Sequence, residues 1–136
     1  RVGFAAALEV IRQFEEKNVA DHLVQTGNYL AEKLTKIFMD CGLNMEIAGL
    51  TPIPVLAIKE KNPLVLKTLF TQEMLKKGFL ASNIIYVSMA HRKEIVNQYL
   101  ETVGEVLGRI ARALRNGELE KMLEGPVCHS GFQRLN

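Results

Sequence analysis

Apolar residues recur at helical spacing in four stretches of the chain, with short extended runs between them. Phe4, Ala7, Leu8, Ile11 and Phe14 share one face, which predicts an amphipathic helix from about Gly3 to Lys17, punctuated by Asn18. Leu23, Gly27, Leu30, Leu34, Ile37, Phe38 and Cys41 predict a second helix, and Gly42 stands where a left-handed residue would end it. Met45–Gly49 and Ile53–Ile58 read as strands joined by the turn-like Gly49-Leu50-Thr51-Pro52, with Pro52 and Pro54 restricting the second strand to an edge or bulge. Asn62-Pro63 starts a third helix, with Val65, Leu66, Leu69, Phe70 and Met74 as its buried face and Lys76-Lys77-Gly78 as its end.

Beyond Gly78, a short strand is predicted at Phe79–Ala81. A second is predicted at Ile84–Met89, apolar, rich in β-branched and aromatic residues, and too short for a globular helix. Ser88 to His91 hands over to the best-patterned element, a helix from about Arg92 to Arg115. Its stripe includes Ile95, Val96, Tyr99, Leu100, Val103, Val106, Leu107, Ile110 and Leu114. His91 followed by Glu94 imitates a capping box at its start. Glu105 stands four residues before Arg109, a favourable pair, and four after Glu101, a repulsive one. Asn116-Gly117 ends the helix, Glu118–Leu123 can form a short further turn, and residues 125–136 are irregular. The order α-α-β-β-α-β-α predicts an α+β domain with a three- or four-stranded antiparallel or mixed sheet covered by helices. A helical lead-in of about 1–42 precedes an α+β part of about 43–124. Ala5-Ala6-Ala7 and Gly27 offer small surfaces for close packing.

Composition narrows the class. The chain has 136 residues, 48% of them hydrophobic and 24% charged, ordinary for one soluble domain with a single core. A formal charge of +2 gives no strong pull toward nucleic acid or anionic membrane. No window approaches the roughly 20 apolar residues that a membrane span needs. Arg1 stands inside a helical pattern with no Met and no signal peptide, so the chain reads as part of a longer protein, cytoplasmic, with Cys41 and Cys128 reduced.

Little chemistry is visible in the spacing. His22, His91 and His129 are solitary, and Cys128-His129 are neighbours unlike any C-x-x-C or H-x-x-x-H pair, so no metal site is expected. No G-x-S-x-G, P-loop or dinucleotide pattern occurs. Ser88 and His91 lie three residues apart with no orienting carboxylate in view, which favours corner hydrogen bonding over nucleophile and base. The cluster Arg109, Arg112, Arg115 is interleaved with Glu105, Glu118 and Glu120, as at a solvated helix end.

A resemblance adds to this. Gly78-Phe79-Leu80 followed by Val87-Ser88-Met89-Ala90-His91 resembles the late segment of class III pyridoxal-phosphate (PLP) aminotransferases. In the branch with glutamate-1-semialdehyde aminomutase that segment reads G-x-[LYF], a variable piece, then [FL]-x-S-x-A-H before the last long helix. Arg1-Val2-Gly3-Phe4-Ala5-Ala6-Ala7-Leu8 is similar to the same branch's E-R-[IV]-G-x-[AT]-A-A-L, and Lys76-Lys77-Gly78 falls at its [KR]-G-[VFL] step. The resemblance implies the C-terminal small domain of a homodimeric fold-type I enzyme, closing over the substrate side of the cofactor. It implies PLP in the full-length enzyme, a small amino or keto substrate, and a Schiff-base Lys and pyridine-pairing Asp elsewhere. No Lys here has a family-like Schiff-base context, so no catalytic residue is expected in this chain, and alone it should be inactive. Counted back from His91, the position of a substrate-side Glu in the aminomutase falls on Asn83, in a shorter loop. That fits a related aminotransferase with a different donor or acceptor. Asn83 and Ser82 are then substrate-binding candidates or plain turn residues, and Arg134 an anion clamp or a surface Arg. A stand-alone metabolite-binding module and an oligomerisation module using the Phe4–Phe14 helix remain alternatives.

Overall fold

The structure, a computed structural model, describes residues 2–131. Four helices and a two-stranded sheet follow in the order α1 (Val2–Glu16), α2 (Val19–Cys41), β1 (Met45–Leu50), β2 (Ile53–Ile58), α3 (Pro63–Lys76) and α4 (Lys93–Asn116), with a 3₁₀ turn at Leu119–Met122. Left-handed Gly42 and Gly117 close α2 and α4, each donating its N–H to a carbonyl of the last turn. Asn18 is also left-handed (φ 52°), which breaks the chain between α1 and α2.

The core is one cluster. α4 contributes Val96, Leu100, Val103, Val106, Leu107 and Ile110; α2 contributes Leu30, Leu34 and Phe38; α3 contributes Leu66, Leu69, Phe70 and Met74. Each large side chain buried here stabilises by roughly 1.5–3 kcal/mol, so these three helices carry most of the fold. α1 differs: none of its described residues is buried, and Phe4 is 82% exposed. The stripe read in the sequence is present, but it faces solvent, and Ala5-Ala6-Ala7 packs against nothing buried.

β1 and β2 form an antiparallel hairpin with Met45 opposite Ile58 and Leu50 opposite Ile53. The expected third and fourth strands are not ladder-paired among the described residues. Residues 79–81 are irregular, and Ile84 makes only an isolated antiparallel bridge to Val55. The cause is visible in β2. Leu56 and Pro54 of β2, and Pro52 in the turn just before it, face the 83–87 segment: Leu56 N–H donates to Asn83 O (2.7 Å), Ile85 N–H to Pro54 O (3.0 Å) and Val87 N–H to Pro52 O (3.0 Å). A regular ladder would return bonds from residues 52 and 54, and proline has no N–H to give. The segment is held as an extended tether rather than a strand.

Gly27 sets how closely α2 meets the hairpin. A Cβ there would lie 1.9 Å from Thr51 O and 2.7 Å from Thr51 C, so the small residue admits a backbone turn rather than a second helix.

On the far side of the core, Glu73 is 4% exposed and fully engaged. Its Oε1 accepts from Lys76 Nζ (2.6 Å) and Gln72 Nε2 (2.9 Å), and its Oε2 from Arg109 (2.7 Å). Arg109 thus pairs with α3 rather than with Glu105, which instead meets Lys77 (2.9 Å). Burial opposes ionisation of Glu73, but Lys76, Gln72 and Arg109 outweigh it and hold the carboxyl below its usual range. The tail joins the same helix: Gln72 Nε2 donates to Met122 O (2.8 Å), Glu124 N–H to Gln72 Oε1 (2.9 Å) and Cys128 N–H to Thr68 Oγ1 (2.9 Å).

Gly27→Ala should lower stability by about 2–3 kcal/mol, because backbone must move and the gain in helix propensity is smaller. An unchanged urea midpoint would show that the hairpin gives way freely. Glu73→Ala should cost about 2–3 kcal/mol and Arg109→Ala, whose side chain is mostly exposed, less than about 1. A lowered folded-state pKa means that the Glu73 contribution is full above the ordinary carboxylate range and is lost as pH falls through the lowered value. Acid unfolding of Glu73→Gln followed by circular dichroism should therefore be less steep than that of the parent.

Candidate functional site

The 79–91 segment runs from the end of α3, along the outer edge of β2, to the start of α4. At its end, two histidines and a serine lock a corner. Ser88 N–H donates to His91 Nδ1 (2.9 Å), and Ser88 Oγ lies 3.0 Å from the same nitrogen. A nitrogen that accepts an amide N–H carries no proton, so neutral His91 is protonated at Nε2 and the serine hydroxyl is a second donor to Nδ1. His22 of α2 donates from Nε2 to the Ser88 carbonyl (3.2 Å). The hydroxyl–imidazole distance would suit a nucleophile and base. No carboxylate is bonded to either histidine among the described residues, and Nδ1 also receives the main-chain N–H. The arrangement holds a corner. His91 is not the cap of α4; Arg92 occupies that position, with no side-chain capping bond.

Ser82 and Asn83 meet different surroundings across a bend at Asn83. Ser82 is exposed, and its Oγ accepts from Ile84 N–H (3.1 Å), a local turn bond. Asn83 is half-buried: its main-chain oxygen receives Leu56 N–H, and its side-chain Oδ1 is shut off from solvent with no partner among the described residues. Ser82 lines a cavity of about 320 Å³ between residues 79–86 and the first half of α4, whereas Asn83 does not. Arg134 lies outside the described residues. The described tail bonds along α3. Among the described residues no group of three His, Cys, Asp or Glu is placed to hold a metal, and no helix is long and apolar enough to cross a membrane. Cys41 and Cys128 are free thiols, and burial followed by Asp40 pushes the Cys41 thiol up.

No known family's sequence profile matches the chain, and no curated protein matches it. Among solved structures it is similar to the PLP internal aldimine form of the FumI protein of Sphingopyxis sp. MTA144, with a TM-score of 0.74 and 20% sequence identity. The likeness covers 88% of this chain and 30% of the FumI chain. It establishes a shared fold, and the chain spans about 30% of the length of that protein.

Glu73 is a buried carboxylate that the apolar patterning does not name, and the buried hydroxyl of Tyr99 is not visible in the α4 stripe that carries its ring. Glu73 stands three residues after Phe70 and four after Leu69, so a carboxylate on the apolar stripe of α3, followed by Lys76, was a signal of a paired buried charge. Tyr99 lies on the buried stripe of α4, edge-to-face with Phe79 (centroids 5.8 Å apart). Its hydroxyl is buried with no partner among the described residues, and burial pushes the phenol far above its ordinary pKa. An unpaired buried hydroxyl costs roughly 1–3 kcal/mol in lost hydration. Tyr99→Phe keeps the ring and removes that cost, so the variant should be more stable by about 1 kcal/mol in urea unfolding. A clear loss of stability instead would mean that the hydroxyl is hydrogen-bonded.

Proposed function

We propose that this chain is the C-terminal small domain of a PLP-dependent enzyme of the class III aminotransferase type, similar to the glutamate-1-semialdehyde aminomutase branch. The observation that carries the reading is the fold shared with FumI, solved as a PLP internal aldimine, over 88% of this chain. The Val87-Ser88-Met89-Ala90-His91 corner supports it, since it stands directly before the last long helix as the resemblance requires. The uncovered apolar stripe of α1 also fits a domain that rests on a larger body.

The residues present do not hold the cofactor by themselves. No Lys among the described residues is buried; Lys33 and Lys67 are half-buried and the others are exposed, unlike the desolvated setting of a Schiff-base Lys. The anchoring Lys is therefore assigned to the rest of a full-length, homodimeric, cytoplasmic enzyme. PLP supplies the electron sink there. This domain's part is to shape the substrate side, with Asn83, Ser82 and Arg134 as the contacts to a small amino or keto substrate. A second reading, an oligomerisation module, has the exposed Phe4–Phe14 stripe in its favour.

The full-length enzyme should show visible internal-aldimine absorbance that disappears when the anchoring Lys is replaced, while the 136-residue chain retains no PLP after dialysis. A full-length protein without that absorbance would end the PLP reading. In the full-length enzyme, Asn83→Ala should alter relative kcat/KM between competing substrates more than it alters cofactor retention, and unchanged kinetics would take Asn83 out of the site. A dimer of the isolated chain that dissociates on Phe4→Glu would favour the oligomerisation module.

A further inference from the structure

The cavity between residues 79–86 and α4 has the size and lining of a small-molecule site in its own right. Its volume, about 320 Å³, falls at the lower end of the roughly 300–1,000 Å³ usual for such sites. Leu30, Phe79, Ile84, Ile85, Ile95 and Val96 are part of its wall, and among the described residues no Lys, Arg, Asp or Glu lines it.

Four polar side chains line the wall: Ser82, Tyr86, His91 and Tyr99. Tyr99 offers only its ring, because its hydroxyl is closed to solvent. Ser82 Oγ accepts from Ile84 N–H and keeps its own O–H to donate, as does the exposed Tyr86. His91 Nδ1 is occupied by Ser88, which leaves the Nε2–H donor unused among the described residues. A carboxylate or phosphate entering here would shed its water with no lysine or arginine among the described residues of the wall to replace it. A neutral molecule with one acceptor oxygen loses little hydration and gains apolar contact.

We propose that this cavity binds a neutral, mainly hydrocarbon molecule carrying a single acceptor oxygen, an alcohol, aldehyde or ketone, with that oxygen on His91 Nε2–H. The site is formed by this chain alone and does not rest on the PLP reading, so absence of aldimine absorbance in a longer enzyme leaves it standing.

The test is titration of the 136-residue chain with 1-octanol, followed by amide chemical shifts, with octanoate and glutarate as charged controls. Saturable shifts should concentrate at Ala81, Ser82, Ile84, Ile85 and Ile95, and octanol should bind at least tenfold more tightly than octanoate. Ile95→Trp, at a partly exposed position on the wall, should weaken octanol binding at least tenfold while the rest of the spectrum stays that of the folded chain. Ala81→Leu fills the same space from the opposite wall and should do the same if Ile95→Trp perturbs α4. Absence of saturable shifts, octanoate binding as tightly as octanol, or octanol binding undiminished in both variants would each overturn the proposal.

Discussion

Three hydrogen bonds along one edge of β2 fix where the candidate site is. Leu56, Pro54 and Pro52 meet Asn83, Ile85 and Val87, each through a single bond, and at two of the three pairs the return bond is missing because Pro52 and Pro54 have no N–H. At roughly 1 kcal/mol net apiece, the three bonds add little to a fold that already buries the apolar faces of α2, α3 and α4. Their effect is on register. A slip of one residue would change which side chains of the segment meet the cavity. The cavity wall would then be rebuilt from a different set of side chains. Stability comes from the helices; the identity of the wall comes from the tether.

The tether is only as well placed as the hairpin that bears it, and α2 grips that hairpin. Gly27 allows the Thr51 backbone to sit where any side chain would collide. Five residues earlier, His22 reaches over to the Ser88 carbonyl, so one helix holds both the turn that ends β1 and the corner that precedes α4. Tyr29 adds a cross-link to α4, donating its hydroxyl to Asn97 Oδ1 (2.8 Å). Glu73 does the equivalent work at the opposite side of α3, joining Arg109 of α4 and Lys76, which in turn meets Glu124 of the tail (2.6 Å). Both flanks of α4 are therefore held by polar contacts, and its apolar stripe fills the space between them.

Periodicity made the helices legible. The predicted bounds of α2, α3 and α4 lie close to those observed, and Gly42 and Gly117 end α2 and α4 as their conformational freedom suggests. β2 matches its predicted span, and β1 runs one residue longer. The sheet count was less legible for a specific reason: Ile84–Met89 has strand composition, but its pairing depends on a neighbour whose donors are missing, and pairing is not a local property. Pro52 and Pro54 did carry that warning as a restriction on β2 itself. The α1 stripe shows the opposite limit. Amphipathicity states that a face wants cover, while the partner lies outside the pattern, and here the described chain leaves the face open.

Ser82 and Asn83 show why adjacency in sequence is a poor guide to a shared site. The chain bends at Asn83, so these two neighbours address different surroundings, while the next pair, Ile84 and Ile85, both reach the cavity. Ser82 meets the cavity, and Asn83 turns inward with no partner for its amide oxygen among the described residues. If both contact one substrate, either that substrate straddles the edge of the segment or the segment moves. Movement would break the three bonds to β2, the His22–Ser88 bond and the Ser88–His91 corner, and would lift Val87 from the core and Phe79 from Tyr99; against this, releasing Asn83 relieves one buried group left unsatisfied among the described residues. The two prolines that keep this stretch from becoming a regular strand thus leave its place to side-chain packing as much as to main-chain bonds.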